Sequence, residues 1–244
     1  MKKTALITGS ARRLGNAMAL HLAGRGWNIA IHYNQSAYAA VKLKSELSEK
    51  FPNNSYDIIK ANLVDLTEVQ RLIPETMEKF GKIDLLINNA SVFEPSFLTD
   101  TTPDLFQTQM DINFRAPFFL IRDYAHMQNE GLIINLLDTR ITRSESNYAA
   151  YTLSKKALWE LTKMAAFELG PYFRVNAIAP GAILPPDDKD SVYLENMAQR
   201  IPMKRPGGVD PVLQSLDYIL ENDYLTGQIL FCDGGEHIGR RDNP

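Results

Sequence analysis

Cysteine is almost absent. Cys232 stands alone in 244 residues, so no intrachain disulfide can form, a scarcity that fits a reducing compartment. Long apolar runs are missing too. Nothing approaches the roughly 20 apolar residues that a membrane helix needs. Lys2-Lys3 followed by TALIT imitates the opening of a secretory signal, but the apolar run stops at Gly9 and meets Arg12 and Arg13. A soluble cytoplasmic protein is therefore expected, with no membrane partner. Cations gather only in pairs, at Lys2-Lys3, Arg12-Arg13, Lys155-Lys156 and Arg240-Arg241. With a net charge of -3 and a pI near 5.8, no nucleic-acid surface is expected. His21, His32, His126 and His237 are scattered without ligand spacing, which argues against a metal site. No repeat, low-complexity tract or domain-separating linker interrupts the chain.

What is present is alternation. Short apolar runs at 4–8, 27–33, 56–61, 83–87, 131–137, 173–179 and 228–232 have the length of buried strands. Helical patterns separate them: NAMALHLAGRG after the first, then 36–51, 65–80, 103–127, 147–169 and 210–221. This order predicts an α/β fold, a single doubly wound Rossmann domain over 1–244 with a parallel sheet of about seven strands. Within 103–127, Pro117 removes a helical hydrogen bond and predicts a kink. Asn113 beside it either bonds freed backbone groups and an active-site water, or is satisfied locally with no catalytic part.

The first strand runs into TGSARRLG and a helix. Gly9 permits a tight turn, Gly15 lets the helix pack close to the sheet, and the helix N-terminus can hold a pyrophosphate. Arg12, Arg13 and Leu14 complete the loop. Arg13 stands where a small residue often lets the phosphates approach. The second strand ends in His32-Tyr33-Asn34-Gln35-Ser36, with no acid to meet a ribose hydroxyl, and this favours NADPH over NADH. Ser36 either caps the following helix, touches the extra phosphate, or does both. The fourth strand ends in Asn88-Asn89-Ala90-Ser91, small and amide residues that let a cofactor lie against backbone. Phe93 follows, available to stack on a flat ring or to anchor the loop.

The chemistry is expected at 138–155. Tyr151 and Lys155 are four apart and share a helical face. A lysine beside a phenol favours the phenolate, which predicts a lowered Tyr151 pKa and a role as proton donor. Asp138, at the end of the LIINLL strand, faces the start of that helix, where open α/β sheets carry their chemistry. Pro180-Gly181 ends the sixth strand. The segment 182–208, rich in Pro, Asp and Lys and without strand pattern, is expected to be an irregular substrate lid.

In order and spacing, TGSARRLG at 8–15, NNAS at 88–91, Asn113, Tyr151-x-x-x-Lys155 and Pro180-Gly181 resemble the short-chain dehydrogenases/reductases across the whole chain. The resemblance implies that Tyr151 donates a proton, that Lys155 lowers its pKa and holds the nicotinamide ribose, and that Asn113 supports a water relay. It implies cofactor contacts from Gly9 to Gly15, at His32 to Ser36, at Asn62 and Leu63, at Asn89 to Ser91, and at Pro180 and Gly181. The family usually carries serine thirteen residues before the tyrosine; here the residue is Asp138. A carboxylate is a poor partner for a developing alkoxide and a better one for a ring N–H or the tyrosine hydroxyl. That substitution resembles the pteridine reductase branch, which includes bacterial dihydromonapterin reductases, and Arg13, the HY-x-x-S turn and Phe93 agree. The branch implies a pterin sandwiched between nicotinamide and Phe93. Ser91 and Arg13 then reach its polar edge and the cofactor phosphates. In some relatives an arginine at the position of Arg240 enters a neighbouring active site, which implies a homotetramer. Asn62 stands where relatives often carry an Asp that meets the adenine amine, and 182–208 has no clear match.

The expected reaction is NADPH-dependent reduction of a dihydropterin, such as dihydrobiopterin, dihydromonapterin or dihydrofolate, to the tetrahydro form. Two alternatives remain. One is a short-chain reductase of a ketone or an acyl thioester (3-oxoacyl or enoyl), with Tyr148, seven before Lys155, as its tyrosine. The other is a non-catalytic NADPH-sensing regulator.

Overall fold

Along each inner strand, successive side chains leave on opposite faces, and both faces are apolar. On β1 (Thr4–Ile7), Leu6 enters one core layer while Ala5 and Ile7 enter the other. Ala30 divides from Ile29 and Ile31 in the same way on β2 (Asn28–Tyr33), and Leu86 from Leu85 and Ile87 on β4 (Leu85–Asn88). A sheet that is apolar on both faces must be covered on both. The first layer is closed by α3 (Leu66–Phe80), α5 (Ala116–Met127) and α6 (Ala149–Leu169). The second is closed by α1 (Arg13–Gly24), α2 (Ala37–Lys50) and α8 (Asp210–Glu221). The computed structural model describes residues 2–185 and 190–240.

The remaining strands are β3 (Tyr56–Lys60), β5 (Gly131–Leu136), β6 (Phe173–Pro180) and β7 (Ile229–Cys232). All pairings are parallel, in the order β3-β2-β1-β4-β5-β6-β7. The chain builds outward from β1 to β3, then returns to the other side of β1 with β4. The strand order therefore reverses between β1 and β4, where doubly wound sheets open a crevice at their carboxyl ends. The expected α/β fold with seven parallel strands is what the chain adopts.

Two elements differ from the sequence reading. The helix expected at 103–127 is α4 (Pro103–Met110), a π-helical turn (Asp111–Arg115) and α5. Pro117 has no N–H to give the Asn113 carbonyl, and the wider turn absorbs the defect. The region 182–208 is not wholly irregular: it contains α7 (Ser191–Ala198), started by Asp190, whose side chain accepts from the Tyr193 N–H at 3.1 Å. Residues 186–189 of the expected lid, and Arg241, lie outside the described residues. Among the described residues no helix is long and apolar enough to cross a membrane. No cluster of three or more His, Cys, Asp or Glu among them is arranged to hold a metal ion.

Candidate active site

The crevice at the β1/β4 switch is fixed by side-chain bonds. Thr8 Oγ1 accepts from the backbone N–H groups of Asn89 and Ala90 at 2.9 and 3.0 Å. Asn89 Nδ2 donates to the Thr8 carbonyl at 2.8 Å and to that of Gly9 at 3.2 Å. Gly9 turns the chain with φ 63°. A Cβ on Gly15 would run into Ser10 Cα and Asn89 Nδ2, at 2.8 and 2.7 Å, so the start of α1 packs against the loop only because Gly15 has none.

His32 holds the same loop from β2. Its Nδ1 accepts from the Gly9 N–H at 2.9 Å and its Nε2 donates to the Ala61 carbonyl at 3.0 Å, which fixes a neutral ring. Burial is the main cause that lowers its pKa from 6.5 to about 4. The sequence reading placed His32 among the cofactor contacts. Its ring lies at the cleft, but both nitrogens are spent on positioning backbone. Ser36, at the N-terminus of α2, makes no side-chain cap bond, so the capping alternative is not realised. Asn62 Oδ1, expected to meet an adenine amine, already accepts from the Val64 N–H at 3.2 Å and from Asn34 Nδ2 at 3.4 Å.

A cleft of about 360 Å³ runs along this loop. It is lined by Gly9, Arg12, Arg13, Leu14, Gly15, His32, Asn34, Leu63, Asn89, Ala90 and Ser91 of the expected cofactor set, with Val92 and Ile112. Tyr33, Ser36, Asn62, Tyr151, Lys155, Pro180 and Gly181 of that set do not line it. The cleft combines a helix N-terminus, glycine backbone and two arginines, a donor set that fits a dinucleotide pyrophosphate. The Ser10 hydroxyl, buried in the same loop, has no hydrogen-bond partner among the described residues.

Beyond it lies a second cavity of about 470 Å³, and Arg13 lines both. Arg13 adopts a left-handed backbone, φ 54°, rare for a side chain with a Cβ, and its Nη2 donates to the Pro185 carbonyl at 2.8 Å. The second cavity presents Asp138, Phe93, Tyr148 and Arg140 on one wall and Tyr193, Leu194 and Met197 of α7 on another. Phe93, 45% exposed, stacks on Tyr148 at 4.2 Å and meets the Tyr151 ring edge-on at 4.6 Å. The Arg140 guanidinium covers the Tyr148 ring at 4.4 Å. Sequence reasoning treated Tyr148 only as an alternative tyrosine and missed Arg140 and the α7 residues.

Asp138 and Tyr151, thirteen residues apart, meet as expected. The Tyr151 hydroxyl donates to Asp138 Oδ2 at 2.9 Å, and Asp138 Oδ1 accepts from the Arg140 N–H at 2.7 Å. Lys155 is buried and its ammonium donates to the Leu136 carbonyl at 2.8 Å. The electrostatics depart from the sequence reading. Burial, then the charge and hydrogen bond of Asp138, push the Tyr151 pKa well above its ordinary value rather than down. Burial also lowers Lys155 to about 8 against the pull of Asp138. Asp138 is raised, chiefly by burial, although the Arg140 N–H, the Tyr151 hydroxyl, Arg140 and Lys155 all favour its charged form. A low dielectric thus dominates all three groups.

Asn113, on the π-helical turn, is fully buried. Its Oδ1 accepts from Ser91 Oγ and the Val92 N–H, both at 3.0 Å. Its Nδ2 faces the Val92 carbonyl, Gln109 Oε1 and Ser154 Oγ within 3.1 Å. Ser154 in turn donates to the Tyr151 carbonyl at 2.7 Å. Asn113 therefore ties the loop after β4 to the helix of Tyr151. Gly181 and Arg240 line the second cavity. Arg240 faces the cavity of its own chain, paired with Glu236 at 2.6 Å, and would have to leave that pair to enter a neighbouring subunit.

This fold, with Tyr151 and Lys155 on one helix beside the carboxyl ends of its strands, is that of a short-chain dehydrogenase/reductase. A family model described as enoyl-(acyl carrier protein) reductase matches residues 9–237, and the chain belongs to that family. The 3-oxoacyl-(acyl-carrier-protein) reductase FabG of Staphylococcus aureus is 31% identical over 98% of this chain and 99% of that protein. Pteridine reductase 1 of Leishmania tarentolae is 28% identical over 97% of this chain and 96% of that protein. The crystal structure of FolM alternative dihydrofolate reductase 1 from Brucella canis, complexed with NADP, superposes with a TM-score of 0.92 at 30% identity, covering 99% and 96%. The chain is an NADP-dependent oxidoreductase of this family, with the pteridine reductases among its relatives.

Proposed function

We propose that this oxidoreductase reduces a dihydropterin to its tetrahydro form with NADPH. The observation that carries the proposal is the Tyr151 hydroxyl donating to the Asp138 carboxylate at the wall of the larger cavity. Reduction of a carbonyl builds negative charge on oxygen, and Asp138, which proton delivery leaves ionised, is poorly suited beside it. Reduction of a ring C=N needs a proton on nitrogen, and a carboxyl group bonded to a phenol can deliver one.

Bound NADPH supplies the hydride that the ring carbon of the C=N bond accepts. Burial keeps Tyr151 protonated, so the phenol holds the proton that the ring nitrogen takes. A phenolate beside a carboxylate is unfavourable, so the productive state carries a proton on Asp138 as well, which burial favours. Tyr151 gives its proton to nitrogen, Asp138 passes its own to Tyr151, and the pair ends one proton poorer. Lys155, next to both, offsets the charge that remains. Gly9, Arg12, Arg13, Gly15 and Asn89 to Ser91 hold the cofactor, Phe93 stacks on the pterin, and 182–208, with α7, forms the lid.

A second reading, reduction of a 3-oxoacyl thioester, is favoured by the 31% identity to FabG, above the 28% to Pteridine reductase 1. Oxidation of NADPH measured with a dihydropterin and with a 3-oxoacyl thioester separates the two. The Asp138→Ser variant is expected to impair pterin turnover. Unchanged pterin kinetics in that variant would remove Asp138 from the mechanism.

A further inference from the structure

Glu236 lies on the wall of the larger cavity with its side chain only 2% exposed. Its Oε1 accepts from Arg240 Nε at 3.1 Å and Nη2 at 2.6 Å, and Arg143 Nη2 stands 3.2 Å from the same oxygen. Arg143 also donates to the Glu236 carbonyl at 2.6 Å. The other oxygen, Oε2, has no hydrogen-bond partner among the described residues. It lies 2.9 Å from where a Cβ on Gly181 would be, and Gly181 also lines the cavity. Oε2 is not among the fully enclosed unpartnered atoms of the described residues, so it opens on the cavity as an acceptor that a ligand hydroxyl can meet.

The charge balance of the wall sharpens the choice. Glu236 occupies the guanidinium fork of Arg240 and also faces Arg143, so its single charge is shared between two arginines. The other arginines of the cavity are engaged as well: Arg13 donates to the Pro185 carbonyl, and Arg140 bonds Asn147 Oδ1 at 3.2 Å while covering Tyr148. A ligand carboxylate approaching Oε2 confronts Glu236, like charge against like. A ligand hydroxyl meets an open acceptor.

We propose that Glu236 reads the tail of the substrate, accepting a hydroxyl hydrogen on Oε2 and disfavouring carboxylates. The cavity then selects a dihydropterin with a short hydroxylated tail over one with an aminobenzoyl-glutamate tail. This rests on the pterin reading above. The test is kcat/KM for 7,8-dihydrobiopterin and for 7,8-dihydrofolate at saturating NADPH, in the wild type and two variants.

The wild type prefers dihydrobiopterin by at least about tenfold. Glu236→Gln removes the charge and frees Arg240, and it narrows the preference by about tenfold, read mainly in KM. Arg240→Gln keeps the carboxylate, leaves it less neutralised and widens the preference. The opposite directions distinguish tail reading from a fold weakened in either variant, since loss of folded protein lowers both substrates alike. Turnover of both pterins with a ratio that neither variant moves overturns the role of Glu236 and leaves the pterin reading standing. Turnover of neither pterin, with activity on a 3-oxoacyl thioester, overturns both.

Discussion

At the scale of single residues, function depends on which charges the protein interior tolerates. Tyr151 and Asp138 are both pushed towards their protonated forms, and the proposed mechanism uses that state. Turnover of the pterin should therefore fall as pH rises through the raised Asp138 pKa. A pH profile of kcat tests this, and Asp138→Asn should lose that limb. Tyr151→Phe removes the donor and should lower kcat by about 10²–10⁴, with the NADPH dissociation constant much less affected. His32 offers a separate test. Its pKa lies below its ordinary 6.5, at about 4, so the unfolded chain binds the extra proton first. The stability that neutral His32 contributes is complete above about pH 6.5 and is lost as pH falls through about 4. Urea midpoints at pH 7 and pH 5 should differ less in His32→Asn than in the wild type. His32→Leu leaves the Gly9 N–H without its acceptor and should raise KM for NADPH by about tenfold, since such a loss costs about 1–3 kcal/mol.

At the scale of elements, the π-helical turn and α7 do what regular helices would not. The turn places Asn113 where one amide joins the loop after β4 to α6 through Val92, Ser91 and Ser154. Asn113→Ala strands several buried polar groups and should destabilise the protein by about 1–3 kcal/mol while lowering kcat, since it loosens the helix of Tyr151 from the cofactor loop. Denaturant midpoints and kcat together test this; a loss of stability with kcat intact would confine Asn113 to structure. Pro117 announced the defect but not its form: the π turn that takes it up packs against α6, a contact that a sequence does not show. The α7 helix escaped notice because its cap, Asp190, sits in an acidic, proline-rich run where a capping residue is not distinctive.

At the scale of the molecule, the sheet was legible because strands buried on both faces print as short apolar runs, and a parallel sheet needs the helices between them. The meeting of Asp138 and Tyr151 was legible too. A strand end and a helix start thirteen residues apart have few other arrangements in a doubly wound fold. The direction of the Tyr151 shift was not, because a sequence shows the lysine four residues away but not the depth at which both are buried. Glu236 was equally hidden, since only the folded C-terminal segment brings it beside Gly181. The β1/β4 crevice joins two halves of the sheet, so a ligand bound there stabilises the whole domain. NADPH at 100 times its dissociation constant should add about 2.7 kcal/mol, seen as a rise in Tm.

The central claim is that Asp138 suits this site to a pterin ring. It is tested most directly by following oxidation of NADPH by the wild-type protein with a dihydropterin and with a 3-oxoacyl thioester in parallel. The account predicts turnover of the dihydropterin and little or none of the thioester. Turnover of the thioester alone would contradict it, leaving the fold, the family and the cofactor in place and the aspartate without its assigned part.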